Sequence, residues 1–308
     1  MTKSEPSPAG APLPVSVVIP AFNRPEMTRR AVLSALAQRP FAAAEVIVVD
    51  DCSTDDTGAV AAAAGARVVR HERNMGEGAA RNTGIGAATQ PWIGLLDSDD
   101  EWRPNLLAAL WPLRDGHVLL VGSAMYRRGG AGADRNLGPM FDRPSRQRTP
   151  TALLYPSNFV PNSAVLVRAD AVRDAGGYRP ELRMGADLDL WLRVLERGTG
   201  IMSPEVVVDY HLHPGQVTQD RDSTAEYHLR ILRSYEGRPW FSAARVEGWR
   251  GGVGWDEMRR SLRAGRLAAG ARAGLFVARH PARIAGLAGI LFHRHRMRRR
   301  TAQLRALS

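Results

Sequence analysis

The stretch Val15–Gln38, VSVVIPAFNRPEMTRRAVLSALAQ, decides the fold class. Its first eight residues, Val15–Phe22, are a largely apolar, β-branched run without strict alternation, as in a strand buried on both faces. Pro25 then stands where a first helical turn tolerates it, and Val32, Ala35 and Leu36 supply a helical stripe. The strand-then-helix order repeats. AEVIVVDD, Ala44–Asp51, is a second apolar strand ending in two acids, and STDDTGAVAAAAG reads as a capped, Ala-rich helix stopped at Gly65. ARVVRHE is a short third strand, NMGEGAARNTGIGAA a turn and a helix, and PWIGLLD a fourth strand. This alternation predicts a mostly parallel, Rossmann-like α/β sheet flanked by helices on both faces.

In such sheets ligands bind beyond the carboxyl ends of the strands. Three strand ends here are polar: Asn23 after the first, Asp50 and Asp51 after the second, and Asp97, Asp99 and Asp100 after the fourth. The last set lies in LLDSDDEW, Leu95–Trp102, with three carboxylates in four positions. Like charges at this density repel, and an isolated buried carboxylate is costly, so a cation or donor must answer them. Mg²⁺ or Mn²⁺ suits the pattern, because it takes one or two protein carboxylates plus phosphate oxygens. The competing reading of the same residues is a solvated, helix-capping turn. Spacing alone leaves the two open.

Further along, HVLLVGSAM reads as another strand. Tyr126–Pro150 lacks periodicity and is dense in Gly, Pro and Arg, which predicts a long loop, either a functional lid or disordered. NSAVLVR returns as a strand and ADAVRDAGGY as a short helix. ADLDLWLRVLERG is an amphipathic helix with Leu188, Trp191, Leu192 and Leu195 on one face. From about Tyr227 the chain reads as helical and increasingly Arg-rich, and no internal repeat is visible. The expected organisation is a flexible leader over 1–13, a main α/β domain over 14–226 and a helical appendage over 227–308.

The single Cys52 excludes an intramolecular disulfide framework and a cysteine-built zinc cluster. The opening MTKSEPSPAGAPLP has no apolar segment of a signal peptide, which predicts a cytoplasmic protein. The apolar run Ile284–Phe292 falls far short of the roughly 18 to 20 residues that span a bilayer. Charge is unevenly placed. Residues 250–308 hold 14 Arg, no Lys and two acids, a net of +12 within a total of +11, so the body of the chain is near neutral.

Five segments, VVIPAFNRP, EVIVVDDCSTDDT, NMGEGAARNTGI, WIGLLDSDDEWRP and ADLDLWLR, occur in the order and at the spacing found in family 2 glycosyltransferases. Together they resemble these inverting enzymes of the GT-A fold over roughly Pro14–Gly215. The resemblance implies transfer of a sugar from a nucleoside diphosphate donor, UDP by family habit alone, to an acceptor hydroxyl, aided by Mn²⁺ or Mg²⁺. It implies that Pro20, Ala21, Phe22 and Asn23 pack around the base. Asp50 and Asp51 would hydrogen-bond base or ribose, and Arg81 would stand near the nucleotide. Asp97 and Asp99 match the D-x-D motif, with Ser98 between them on the donor side and Asp99 the direct metal contact. Asn74 and Gly76 shape the turn.

Inversion needs one base to take the acceptor proton. Asp187 resembles that base, although this chain has Ala186-Asp187 where the family often has Glu-Asp. The alternative for Asp187 is an N-cap, and Asp189 reads as structural. In YHLHPGQVT, His213 aligns with the family's His-Pro-Gly segment better than His211, as a metal ligand.

Two other classes share some of these features. A nucleotidyltransferase would need a Gly-rich phosphate loop and a nearby Lys after the first strand, and neither is present. A non-catalytic nucleotide-sugar-binding protein on this fold would be expected to lose the D-x-D pair or the base, and both are present. The tail over 250–308 mixes apolar patches with Arg, as an interfacial helix on an anionic membrane does, with a solvated appendage or oligomer contact as the plain alternative. Nucleic acid ranks last, since no aromatic platform or recognised module accompanies the charge. A membrane-facing tail would place the protein at the inner face of the cell membrane, with a cell-envelope or lipid-linked glycan as acceptor.

Overall fold

The computed structural model describes residues 11–128, 135–137, 145–147, 160–182, 184–212, 221–286 and 288. These fall into two compact units, one carrying the sheet and the other the C-terminal helices. Most of the expected leader lies outside the described residues, and the buried Leu13 already opens the first strand.

The sheet is built around β1 (Leu13–Ala21). Its apolar residues are buried, and its one hydroxyl, Ser16, donates to Glu45 Oε1 at 2.6 Å. β2 (Ala43–Asp50) and β4 (Trp92–Leu95) pair with it on either side, both parallel, and β3 (Arg67–Arg70) extends the run beyond β2. Helices α1 (Pro25–Leu36), α2 (Thr57–Ala63) and α3 (Glu77–Ala87) cross between these strands. Pro25 is the first residue of α1, as expected. The buried stripe of α1, however, is Thr28, Ala31, Val32 and Ala35, whereas Leu36 is 42% exposed. Small side chains let the helix lie flat on the sheet and turn Leu36 to its margin. α3 lies closer still: a Cβ on Gly84 would fall 2.3 Å from Val18 Cγ1.

Beyond β4 the order changes. β9 (Val165–Arg168) inserts antiparallel between β4 and β6 (Leu119–Arg128), so the sheet reads β3-β2-β1-β4-β9-β6-β10-β5. β10 (Gly200–Leu212) runs parallel to β6, and the two-residue β5 (Glu101–Trp102) pairs antiparallel with β10. The expected loop over Tyr126–Pro150 is corrected in part. β6 continues to Arg128, β7 (Arg135–Leu137) pairs with it, and β8 (Ser145–Gln147) pairs with β10. These are backbone pairings at sheet margins and leave no apolar period to read. The rest of that segment lies outside the described residues.

α4 (Leu106–Leu110) and α5 (Ala169–Asp174) are short. α6 (Ala186–Leu195) buries every residue from Leu188 to Leu195, not one face alone. Its polar residues allow this: the Asp189 carboxylate, fully buried, accepts from Arg193 Nε at 2.9 Å and lies 3.2 Å from Arg179 Nη1.

The second unit contains α7 (Arg221–Arg233), α8 (Ala243–Arg263) and α9 (Leu267–Ala278). Ser242 caps α8 through Arg245 N–H. Glycines at 248, 251, 252 and 254 would weaken an isolated helix, but all four are buried.

Candidate active site

Because β1, β2 and β4 are parallel neighbours, their carboxyl ends lie side by side, and the polar residues after them share one edge of the sheet. The antiparallel β9 begins at that edge, since Val165 pairs with Leu95. β10 ends there, with Asp209 opposite Glu101. Segments far apart in the chain therefore converge on the Asp97–Asp100 turn.

Two of its walls come from the first two loops. Asn23, at φ +50°, donates its N–H to Ser53 Oγ at 3.0 Å and accepts from Thr54 N–H at 2.8 Å, tying the β1 loop to the β2 loop. Pro20 and Ala21 are buried, while Phe22 is 42% exposed. Asp50 is fully buried; it accepts from Ser53 N–H at 2.8 Å and pairs with Arg70 at 2.5 Å. Asp51 accepts from the N–H groups of Met75 and Gly76 at 2.9 and 2.7 Å and pairs with His71 Nδ1 at 2.6 Å. Both acids shape the loops, and Asp51 holds the Asn74–Gly76 turn against the start of α3.

The three aspartates at the centre have separate surroundings. Asp97 Oδ1 accepts from Arg81 Nη2 at 2.6 Å and from Asn162 Nδ2 at 3.0 Å. Asp99 Oδ2 pairs with Arg24 Nη1 at 2.8 Å. Asp100 is buried, accepting from Ser163 Oγ at 2.5 Å and from the His211 N–H at 3.2 Å. Burial, then the charges of Asp97 and Asp99, push the Asp100 carboxyl well above the ordinary carboxylate range. Ser98 between them is buried. Arg81 is also buried; desolvation works against its charge, but Asp97 and Glu77 outweigh it and hold the guanidinium protonated.

Tyr178 closes the back of the site. Its hydroxyl donates to Asn162 Oδ1 at 2.6 Å, its N–H donates to Asn82 Oδ1 at 2.7 Å, and the Arg81 guanidinium sits 5.1 Å over its ring. Burial raises the phenol's pKa strongly; Arg81 opposes, and the charges of Asp97 and Asp187 add to the rise. One phenol thus senses both Asp97 and Asp187. Asp187 is the second residue of α6, after Gly185 as N-cap at φ +72°. It does not cap the helix.

His211 Nε2 lies 3.0 Å from Glu101 Oε1, and His213 lies outside the described residues. Asn162, Ser163, Tyr178 and Arg24 are site residues that the motif spacing did not single out. PNSAVLVR and AGGY carried only strand and helix-end signals, and their place follows from where β9 inserts.

Residues 16–176 match the model of glycosyl transferase family 2. The chain belongs to that family. Among curated relatives, it is 33% identical over 213 residues to the succinoglycan biosynthesis protein ExoU of Rhizobium meliloti, covering 62% of this chain and 59% of that one. It is 31% identical over 226 residues to the pre-mycofactocin glycosyltransferase of Mycobacterium tuberculosis, covering 70% of this chain and 47% of that one. The chain thus spans about half to three fifths of the length of these relatives. Among solved structures, S. aureus TarS 1-349 in complex with UDP-GlcNAc aligns with TM-score 0.61 at 19% identity, over 89% of this chain and 83% of that one. The mannosyltransferase PcManGT from Pyrobaculum calidifontis, in complex with GDP-Man and Mn²⁺, aligns with TM-score 0.60 at 17% identity, over 94% and 84%. These likenesses establish the expected GT-A α/β fold for this family 2 chain.

Proposed function

We propose that this chain is an inverting glycosyltransferase that moves a sugar from a nucleoside diphosphate donor, UDP by family habit, to a hydroxyl of a glycan or lipid-linked acceptor. Cell-envelope or exopolysaccharide synthesis is its setting, in line with the relatives' names. The observation that carries the reading is the common edge of the sheet where Asp97 and Asp99 stand, each backed by an arginine.

The residues at this edge fit a divalent cation. Asp99 and Asp97 each face one guanidinium, Arg24 and Arg81, and the buried Asp100 carboxyl lies beside them on Ser163 and the His211 N–H. The donors are hard oxygens, suited to Mg²⁺ or Mn²⁺. Among the described residues no group of three or more His, Cys, Asp or Glu is placed to hold a metal ion, so in this reading phosphate oxygens of the donor would supply most of the shell. Asp97 and Asp99 would hold the ion, with His213 as the further ligand in this reading. When bound, it would compensate charge on the departing diphosphate.

The chain's own residues do the rest. Asn23, Asp50 and Asp51 frame the nucleotide recess, with Pro20 and Ala21 as its floor and the half-exposed Phe22 as a face for the base. Arg81 and Ser98 line the donor side. Asp187, at the start of α6, takes the acceptor hydroxyl proton as that oxygen attacks the anomeric carbon from the side opposite the diphosphate. The protein works at the cytoplasmic side of the membrane in this reading; no helix among the described residues is long and apolar enough to cross one.

A thermal-shift panel of UDP, GDP, dTDP and CDP, each with and without Mn²⁺, tests the donor half of the proposal. A ligand bound only by the folded chain raises Tm by mass action. One nucleotide should raise it in a metal-dependent way; no shift with any of the four would leave the acids as structural caps.

A further inference from the structure

The C-terminal unit presents a surface whose chemistry sugar transfer does not use. α9 turns Gly270 and Val277 inward, and a Cβ on Gly254 of α8 would fall 2.9 Å from Val277 Cγ2. The side of α9 turned outward is apolar: Leu267 is 70% exposed and Leu275 50% exposed, with Ala271 and Ala278 exposed beside them. At about 100° per residue these four fall within an arc of about 80°. Exposed Arg272 and Arg279 follow along one side of that arc, and exposed Arg263 and Arg266 stand at its N-terminal end. None of these four arginines makes an ion pair among the described residues. Arg250, Arg260 and Arg283, by contrast, are paired with glutamates, and no acid follows Glu257 in the sequence.

We propose that this face docks on an anionic lipid surface, with α9 lying in the plane of the interface. Leu267 and Leu275 enter the acyl boundary, while the arginines extend along it to the headgroup phosphates. Charge selects this occupant. A second copy docked face to face would oppose one arginine rim to another with no acid on either side to answer it. A bilayer bearing anionic headgroups answers all four cations at once. α9 is short and carries Arg272 in its middle, so it lies on a membrane and does not cross one.

The experiment is co-flotation of the full chain with vesicles of phosphatidylcholine alone or with about 30% phosphatidylglycerol, an anionic share typical of such surfaces. Wild type should float with the anionic vesicles and remain below with the neutral ones. The L267S/L275S double variant should lose about tenfold of its binding, since two exposed leucines no longer enter the bilayer. R272Q/R279Q should lose a comparable share at physiological salt, less at low salt. All variants should keep the wild-type Tm, because the four side chains are exposed. Wild type that stays below, or a leucine variant that floats like wild type, overturns the proposal. So does a leucine variant that leaves flotation intact and instead abolishes self-association in sedimentation velocity.

Discussion

Asn162 donates from Nδ2 to Asp97 Oδ1 across 3.0 Å, although 65 residues separate them in the chain. Its other amide atom accepts the buried Tyr178 hydroxyl, so Asn162 positions Asp97 and is itself fixed by a phenol that has no water to turn to. Asn162→Ala strands that hydroxyl and releases one restraint on Asp97. The expected loss is about 1–2 kcal/mol of stability, read by urea unfolding. In metal-nucleotide titration, affinity should fall about tenfold, whereas a purely structural asparagine would leave affinity unchanged.

On the proposed function, Asp99 and Asp187 separate binding from chemistry. Asp99→Ala should abolish the metal-dependent part of donor binding. Asp187→Ala should spare donor binding and lower kcat by about 10²- to 10⁴-fold, the usual contribution of a general base. Single-turnover assays beside nucleotide titrations check both; normal turnover by the Asp187 variant removes it from the proton-transfer step.

Two residues along the same helix, Asp189 serves a different end. It is buried against Arg193 and also pairs with the exposed Arg179, so Asp189→Ala leaves the buried Arg193 guanidinium without its carboxylate and should cost about 3–5 kcal/mol. Asp187→Ala, at a half-exposed position, should move Tm far less. Thermal unfolding of the two variants distinguishes the buried acid from the half-exposed one.

The close seat of α3 on β1 gives a packing test. With Val18 Cγ1 2.3 Å from the Cβ it would gain, Gly84→Ala should destabilise by about 1–3 kcal/mol despite alanine's better helix propensity. Denaturant unfolding should show a lower midpoint with an unchanged slope.

Glu45 sets part of the acid limit. Partial burial would raise its carboxyl, but the hydroxyls of Ser16 and Thr89, the Thr89 N–H and Arg67 outweigh this and hold it down to about 2. A depressed folded-state pKa means the carboxylate's stabilisation is complete above its ordinary value near 4.5 and is lost as pH falls through about 2. Glu45→Gln should therefore be about 1 kcal/mol less stable at neutral pH, and its stability curve should converge with wild type's as pH approaches 2.

The strand-helix alternation, Pro25 at the head of α1, the stop at Gly65 and the acids after β2 and β4 were all legible in the chain. Each depends on neighbours a few residues away, and burial on both faces writes itself as an unbroken apolar run. The misplacement of Leu36 and the short strands within 126–150 show where that legibility stops, at margins where backbone pairing and close helix seating leave no periodicity. Asp187 was visible as an acid at a helix start, but only Gly185 at positive φ shows that it is not the cap. What tertiary structure alone decided is which residues meet. β9 enters antiparallel between β4 and β6, carrying Asn162 and Ser163 to Asp97 and Asp100. Tyr178 follows from the next helix end, and Arg24 comes from β1's loop to Asp99. No spacing encodes those meetings, because strand order is settled by the packing of whole layers and not by the local sequence of any one of them.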